Sequence, residues 1–173
     1  MSILAMNNYF EILNLPMQFR LELNDIDRQY FAMQLKFHPD TACDEKQKEH
    51  FMQMTIQINN AYKALRDDLA RAKELLKVAG MDLDDVKYRN SIAQQDLQNI
   101  FTDAQEISDT EDGNILAAML GQKNSQRNAL VNSLASAFES NNLNQTVQDT
   151  LLLKYVDNLI KQIKQKLHKK SPH

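Results

Sequence analysis

The sequence predicts an all-α protein, an antiparallel helical hairpin near the N-terminus followed by a three-helix bundle. Three observations carry this. The 173 residues include only three Gly and three Pro, against roughly 7% and 5% in average proteins, so the turns that sandwiches, barrels and phosphate loops need are mostly missing. Apolar residues recur at helical spacings of three and four along most of the chain. Hydrophobic residues at 43% and charged residues at 25% are those of a globular chain long enough to bury a core. No fixed-period repeat is present, which sets solenoids aside.

The elements follow in order. Asn7 to Leu15 reads as a short helix closed by Pro16, because a residue preceding proline avoids the helical conformation. A second helix is expected to begin after Asn24 or Asp25 and carries Ile26, Tyr30, Met33 and Phe37, stopping at Pro39. His38 to Asp44 is a polar loop. A third helix starts near Glu45 and runs to Arg66 or beyond, with Phe51, Met54, Ile58, Tyr62 and Leu65 on one face. The apolar pattern continues through Leu69, Ala72, Leu75, Leu76 and Ala79 to Gly80, a suitable residue just past a helix end. The expected domains are therefore 1–79 and 80–173.

Three further helices are predicted. One carries Ile92, Leu97, Ile100, Phe101, Ala104 and Ile107; the next Ile115, Leu116, Met119, Leu120, Leu130, Leu134 and Phe138. The last carries Val147, Leu151, Tyr155, Val156, Leu159, Ile163 and Leu167, with 151, 155 and 159 as a core stripe. Asp112-Gly113 and Ser140-Asn141-Asn142 are the expected turns.

Composition excludes several function classes. Net charge is −3, giving the whole molecule no pull toward a polyanion. Without Trp and with 7% aromatics, the chain offers little stacking surface for single strands. Residues 82–112 hold nine acids against Lys87 and Arg89, and residues 154–170 hold six Lys against Asp157, so these blocks can attract each other or stand as solvated faces. Cys43 is the lone cysteine, which excludes an internal disulfide and fits a reducing compartment. Met1 to Met6 lacks signal-peptide features and no apolar run reaches membrane-spanning length, so a cytoplasmic protein without membrane or nucleic-acid partners is expected.

Catalysis has little to build on. Neither zincin, dinucleotide nor P-loop motifs occur, and no Cys/His pairs stand at metal spacing, so neither an enzyme, a metal nor a cofactor is expected. Cys43 and His38 share a loop but lack a third, orienting group. What stands out is His38-Pro39-Asp40 at the turn between two amphipathic helices. There Pro39 and Asp40 either do ordinary turn work or display a carboxylate and an imidazole to a partner's arginine.

The first 76 residues resemble a J-domain, the module that stimulates ATP hydrolysis by DnaK-type chaperones. Asn8-Tyr9-Phe10-Glu11-Ile12-Leu13-Asn14-Leu15 is similar to its opening helix, and Ile58-Asn59-Asn60-Ala61-Tyr62-Lys63-Ala64-Leu65 to its third. Tyr9-Phe10 with Leu15-Pro16, Arg71-Ala72 with Leu75-Leu76, Gly80-Met81-Asp82-Leu83, and Thr146-Val147 and Lys166-Leu167 in the last helix resemble the HscB family. Those are co-chaperones of iron-sulfur cluster assembly, here of the bacterial type without a zinc module. The resemblance implies two partners. The J-domain engages the chaperone HscA through His38, Pro39 and Asp40 with Arg28 and Lys36, and the bundle holds the cluster scaffold IscU and brings it as client.

Departures shape the expectations. The family's second helix is usually basic, whereas Asp25 to Phe37 holds Asp25, Asp27, Arg28 and Lys36, and Thr41 stands where a lysine often follows the triplet, so electrostatic steering should be weaker. Asp67-Asp68-Leu69 replaces a Pro-containing step, and Glu74 a frequent Tyr. The first bundle helix has lost most of the family's glutamates, so the expected scaffold-binding set is Leu97, Ile100, Phe101 and Ala104, unless these face the bundle core, with Leu152 of the last helix, expected to stand exposed beside the core stripe. Two other readings stand beside this one, a J-domain protein serving a different client and a plain helical interaction module with an accidental triplet.

Overall fold

The computed structural model describes residues 8–83, 88 and 91–170. Asn7 and the N-terminal stretch read for targeting, Asp84-Asp85, Lys87, Arg89 and His173 lie outside the described residues. Among the described residues all regular structure is helical: α1 (Tyr9–Ile12), α2 (Leu23–Lys36), a 3-10 turn (Pro39–Thr41), α3 (Glu45–Arg66), α4 (Asp68–Val78), α5 (Gln94–Asp109), α6 (Gly113–Glu139) and α7 (Leu143–Lys170). None of these helices is long and apolar enough to cross a membrane. The chain divides into two compact units, Met1–Met81 and Asp82–His173.

In the first unit the expected stripes close on each other. Ile26, Met33 and Phe37 of the second helix meet Met54, Ile58, Ala61 and Leu65 of the third, with Tyr30, Phe51 and Tyr62 at the margin and Phe10, Ile12 and Leu13 filling the rest of the core. Such burial is worth about 1.5–3 kcal/mol for each large side chain. Tyr30 and Tyr62 stack with centroids 4.0 Å apart across the seam.

Several boundaries differ from expectation. α1 ends at Ile12, before Pro16: Asn14 takes a left-handed φ of 51°, and Leu15 N–H and Asn14 N–H donate to Phe10 O and Glu11 O. That six-to-one closure satisfies carbonyls that a helix end leaves bare. α2 begins at Leu23, so Asn24 and Asp25 lie inside its first turn. The long pattern after Glu45 is two helices, because Asp67 is extended (φ −96°, ψ 125°) and its side chain accepts from Ala70 N–H, starting α4 where the apolar periodicity shows no gap. Gly80 closes α4 as expected, with φ 79° and Met81 N–H donating to Leu76 O.

The second unit is a bundle of α5, α6 and α7. One core cluster joins Ile107, Leu116, Leu159 and Ile163, with Ala104, Met119, Leu120 and Leu167 against it. Gly113 is the first residue of α6, and Asp112 caps it by accepting from Asn114 and Ile115 N–H. Asn141 turns left-handed at φ 52° and closes the α6 end. Of the expected α7 residues Val147, Leu151, Val156, Leu159 and Ile163 are buried, Tyr155 is exposed instead, and Leu153 and Ile160 join the buried set.

Between Leu120 and Leu130, α6 offers no large apolar residue inward. Instead Lys123, buried, pairs with Asp103 of α5 at 2.5 Å, and Arg127 pairs with Asp157 of α7 at 2.8 Å. Removing one member of such a pair strands the other in a dry setting. Asp103→Ala is expected to cost about 2–3 kcal/mol, and Lys123→Met, which removes the buried charge itself, under about 1 kcal/mol. Urea unfolding followed by circular dichroism compares the two.

Candidate functional site

The loop between α2 and α3 is held at both ends. On one side Phe37 is buried, packs edge-on against Phe51 at 5.5 Å, and its carbonyl accepts from Thr55 Oγ1. On the other, Asp44 accepts from Gln47 N–H at 2.7 Å while Gln47 Oε1 accepts from Cys43 N–H at 2.6 Å, a variant of the reciprocal cap that starts helices. His38 to Ala42 spans these anchors.

Inside the loop each residue has its place. His38 is extended (φ −68°, ψ 125°), as the residue before a proline must be, and Pro39 opens the 3-10 turn, where its missing N–H costs nothing. Thr41 donates to His38 O through both its N–H and its hydroxyl. His38 Nδ1 accepts from Asp40 N–H at 3.2 Å, so the neutral imidazole carries its proton on Nε2. Asp40 is left projecting: its side chain is 87% exposed, with Oδ2 3.8 Å from His38 Nδ1. An exposed carboxylate on a pinned turn suits an arginine arriving from outside.

Arg28 and Lys36 are exposed on α2, but Arg28 already pairs with Asp25 at 2.8 Å, and Lys36 lies over the Phe37 ring. Asp27 is held from α3 by Tyr62 OH and by Arg66. The Tyr62 hydrogen bond, then Asp27, raises the Arg66 guanidinium above its ordinary pKa. Most of the charge of α2 is thus spent within the hairpin. Two apolar residues off its core stripe, Phe31 and Leu35, stand exposed instead.

In the bundle the expected scaffold-binding residues separate. Leu97 and Phe101, one turn apart on α5, are exposed; Ile100 and Leu152 are half-buried; Ala104 packs against the core. Phe101 also lines an open groove of 510 Å³ with Gln105, Asp109, Ile115 and Met119. Among the described residues no three His, Cys, Asp or Glu side chains gather as a metal site would need.

The DnaJ domain model matches residues 8–73, which contain the pinned loop and both helices flanking it. The first unit is a J-domain. A co-chaperone protein HscB homolog of Vibrio cholerae is 40% identical over 78 residues, 44% of this chain and 46% of the relative. One from Paraburkholderia phymatum is 39% identical over 79 residues. The sequence match thus spans less than half of those relatives. The fold reaches further. Human HscB superposes with a TM-score of 0.86 at 21% identity, over 94% of this chain and 83% of that one. The Jac1 co-chaperone of Saccharomyces cerevisiae gives 0.78 at 20%, over 98% and 97%. The resemblance to HscB is carried by sequence in the J-domain and by fold over nearly the whole chain.

Two residues of α4, the departing Glu74 and the family-like Arg71, have structural roles that spacing could not show. Glu74 is buried and accepts from Tyr9 N–H at 2.9 Å, tying α4 to the start of α1 across 65 residues. Arg71, also buried, lies over the Phe19 ring, donates to Leu65 O at the end of α3 and pairs with Asp68. Burial pushes its guanidinium pKa down, opposed by Asp68 and Asp67. Glu74→Ala is expected to cost about 1–2 kcal/mol by stranding the Tyr9 donor, and Glu74→Gln, whose carbonyl oxygen still accepts, to recover most of it. Thermal unfolding of both variants reads the difference.

Proposed function

We propose that the protein is a co-chaperone that stimulates the ATPase of the DnaK-type chaperone HscA, delivers the iron-sulfur scaffold IscU to it, and works in the cytoplasm. The observation that carries this reading is Asp40, exposed on a His-Pro-Asp turn whose ends are anchored in a J-domain. The co-chaperone names of the relatives and the HscB-like fold support it. ATP hydrolysis stays in the chaperone. Asp40 accepts the chaperone's arginine, Pro39 keeps the turn rigid, and His38 braces it through the Asp40 N–H, with Arg28 and Lys36 beside them.

Residues 1–79 act as the J-domain and 80–173 as the scaffold-binding bundle. Holding both partners on one chain raises the client's effective concentration at the chaperone. Leu97 and Phe101 supply the exposed part of the scaffold surface, with Ile100, Ala104 and Leu152 behind or beside them. The low glutamate content of α5 favours one other reading, a J-domain co-chaperone with a different client.

The test measures HscA ATPase turnover with IscU present. Wild-type protein is expected to stimulate synergistically with IscU. Asp40→Asn is expected to lower the stimulation about tenfold or more, the equivalent of one charge-assisted contact. Stimulation indifferent to IscU points to another client, and no stimulation by the wild type overturns the reading. Replacing Leu97 and Phe101 together with Ser is expected to raise the IscU concentration needed for half-maximal synergy about tenfold.

A further inference from the structure

Four large apolar side chains stand exposed on one side of the α2–α3 hairpin. Phe31 (62% exposed) and Leu35 (76%) are one turn apart on α2; Met52 and Ile56 are one turn apart on α3. Tyr30 OH and Gln34 Nε2 both donate to Asn59 Oδ1, which pins the two helices along that edge. Gln34 shares a helix face with Phe31, three residues before it, and Asn59 with Ile56, three residues before it. The seam therefore sets both apolar pairs on the same side. Single exposed apolar residues are ordinary, but a contiguous set marks an interaction surface.

Part of the charge on this side is already spent, although Lys63, four residues beyond Asn59, is exposed on it. Arg28 is paired with Asp25, and Asp27 is held by Tyr62 and Arg66. The occupant follows from position. Leu35 precedes His38 by three residues, about 5 Å along a helix, and even Phe31 is only about 10 Å away. A stable interface covers about 800 Å² on each partner, far more than a three-residue turn provides, so a chaperone engaged at Asp40 has to extend onto the hairpin.

We propose that Phe31, Leu35, Met52 and Ile56 form a specificity surface that docks an apolar patch of the DnaK-type chaperone, in place of the basic-to-acidic docking usual for J-domains. The proposal rests on the co-chaperone reading above and names how that same partner is selected. Contact through this face draws its energy mainly from apolar area, so chaperones with a strongly acidic docking surface are poorly served.

The experiment titrates the full-length protein into HscA and reads both the half-saturating concentration and the maximal ATPase rate. Variants are F31S/L35S, the apolarity-preserving F31L/L35M, and Asp40→Asn, each checked for a cooperative thermal transition. Expected are a rise of about tenfold in half-saturating concentration for F31S/L35S with maximal rate retained, and less than about twofold for F31L/L35M. If Asp40→Asn abolishes stimulation while F31S/L35S titrates like wild type, the specificity surface is refuted and the co-chaperone reading stands. If F31S/L35S instead dissociates a wild-type dimer in sedimentation equilibrium without changing the titration, the face serves a second copy and the proposal falls. Failure of the wild type to stimulate overturns both readings.

Discussion

The display of Asp40 depends on Phe37. That ring, buried between α2 and α3 and packed edge-on against Phe51, fixes where α2 stops, and its carbonyl is held by Thr55 of α3. Seven residues on, the Asp44–Gln47 cap fixes where α3 starts. With both ends set, the turn between them has few conformations left, and Pro39 removes more. A carboxylate that is exposed yet conformationally restricted loses little entropy on meeting a partner. The same carboxylate on a free loop would pay that cost at each encounter.

A second theme is the use of charged side chains as internal fasteners. Glu74 satisfies the first N–H of α1, and Arg71 a carbonyl at the end of α3. In the bundle, Lys166 donates to the carbonyls of Ile107, Ser108 and Thr110 and lies 3.1 Å from Glu111. There the acidic and basic blocks do meet, but the main contact is a lysine closing the C-terminal end of α5, where cations complement both bare carbonyls and the helix dipole. Lys123 and Arg127 act likewise between helices. Charge spent on closing helix ends and pairing helices leaves little for a long-range field, in keeping with a net charge of −3.

In the proposed co-chaperone reading, apolar surface takes over part of the role left vacant. Each unit carries an exposed apolar pair at four-residue spacing, Phe31 with Leu35 in the J-domain and Leu97 with Phe101 in the bundle. Both lie on amphipathic helices whose opposite faces enter a core. Area removed from water at such pairs would select partners by shape and apolar match more than by charge.

How much of this was legible in the residues depended on the range of the interaction. The all-helical class, the hairpin stripes, the Gly80 stop and the His38-Pro39-Asp40 turn follow from periodicity and turn chemistry, which act within four or five residues and are written in consecutive positions. The resemblance to a J-domain and to HscB came from motifs of the same short range. Other features lay beyond that range. The break at Asp67 falls inside an unbroken apolar pattern. Whether Leu97, Phe101 and Tyr155 face a core or water depends on which side of the helix a neighbour occupies. The partners of Glu74, Lys123 and Lys166 are 65, 20 and 56 to 59 residues away. The sequence by itself determined where helices form, because hydrogen bonds and side-chain spacing inside a helix are local. Only the tertiary structure decided which polar groups are satisfied across helices and which apolar residues remain outside, because burial is a property of the packed assembly of helices and not of any one of them.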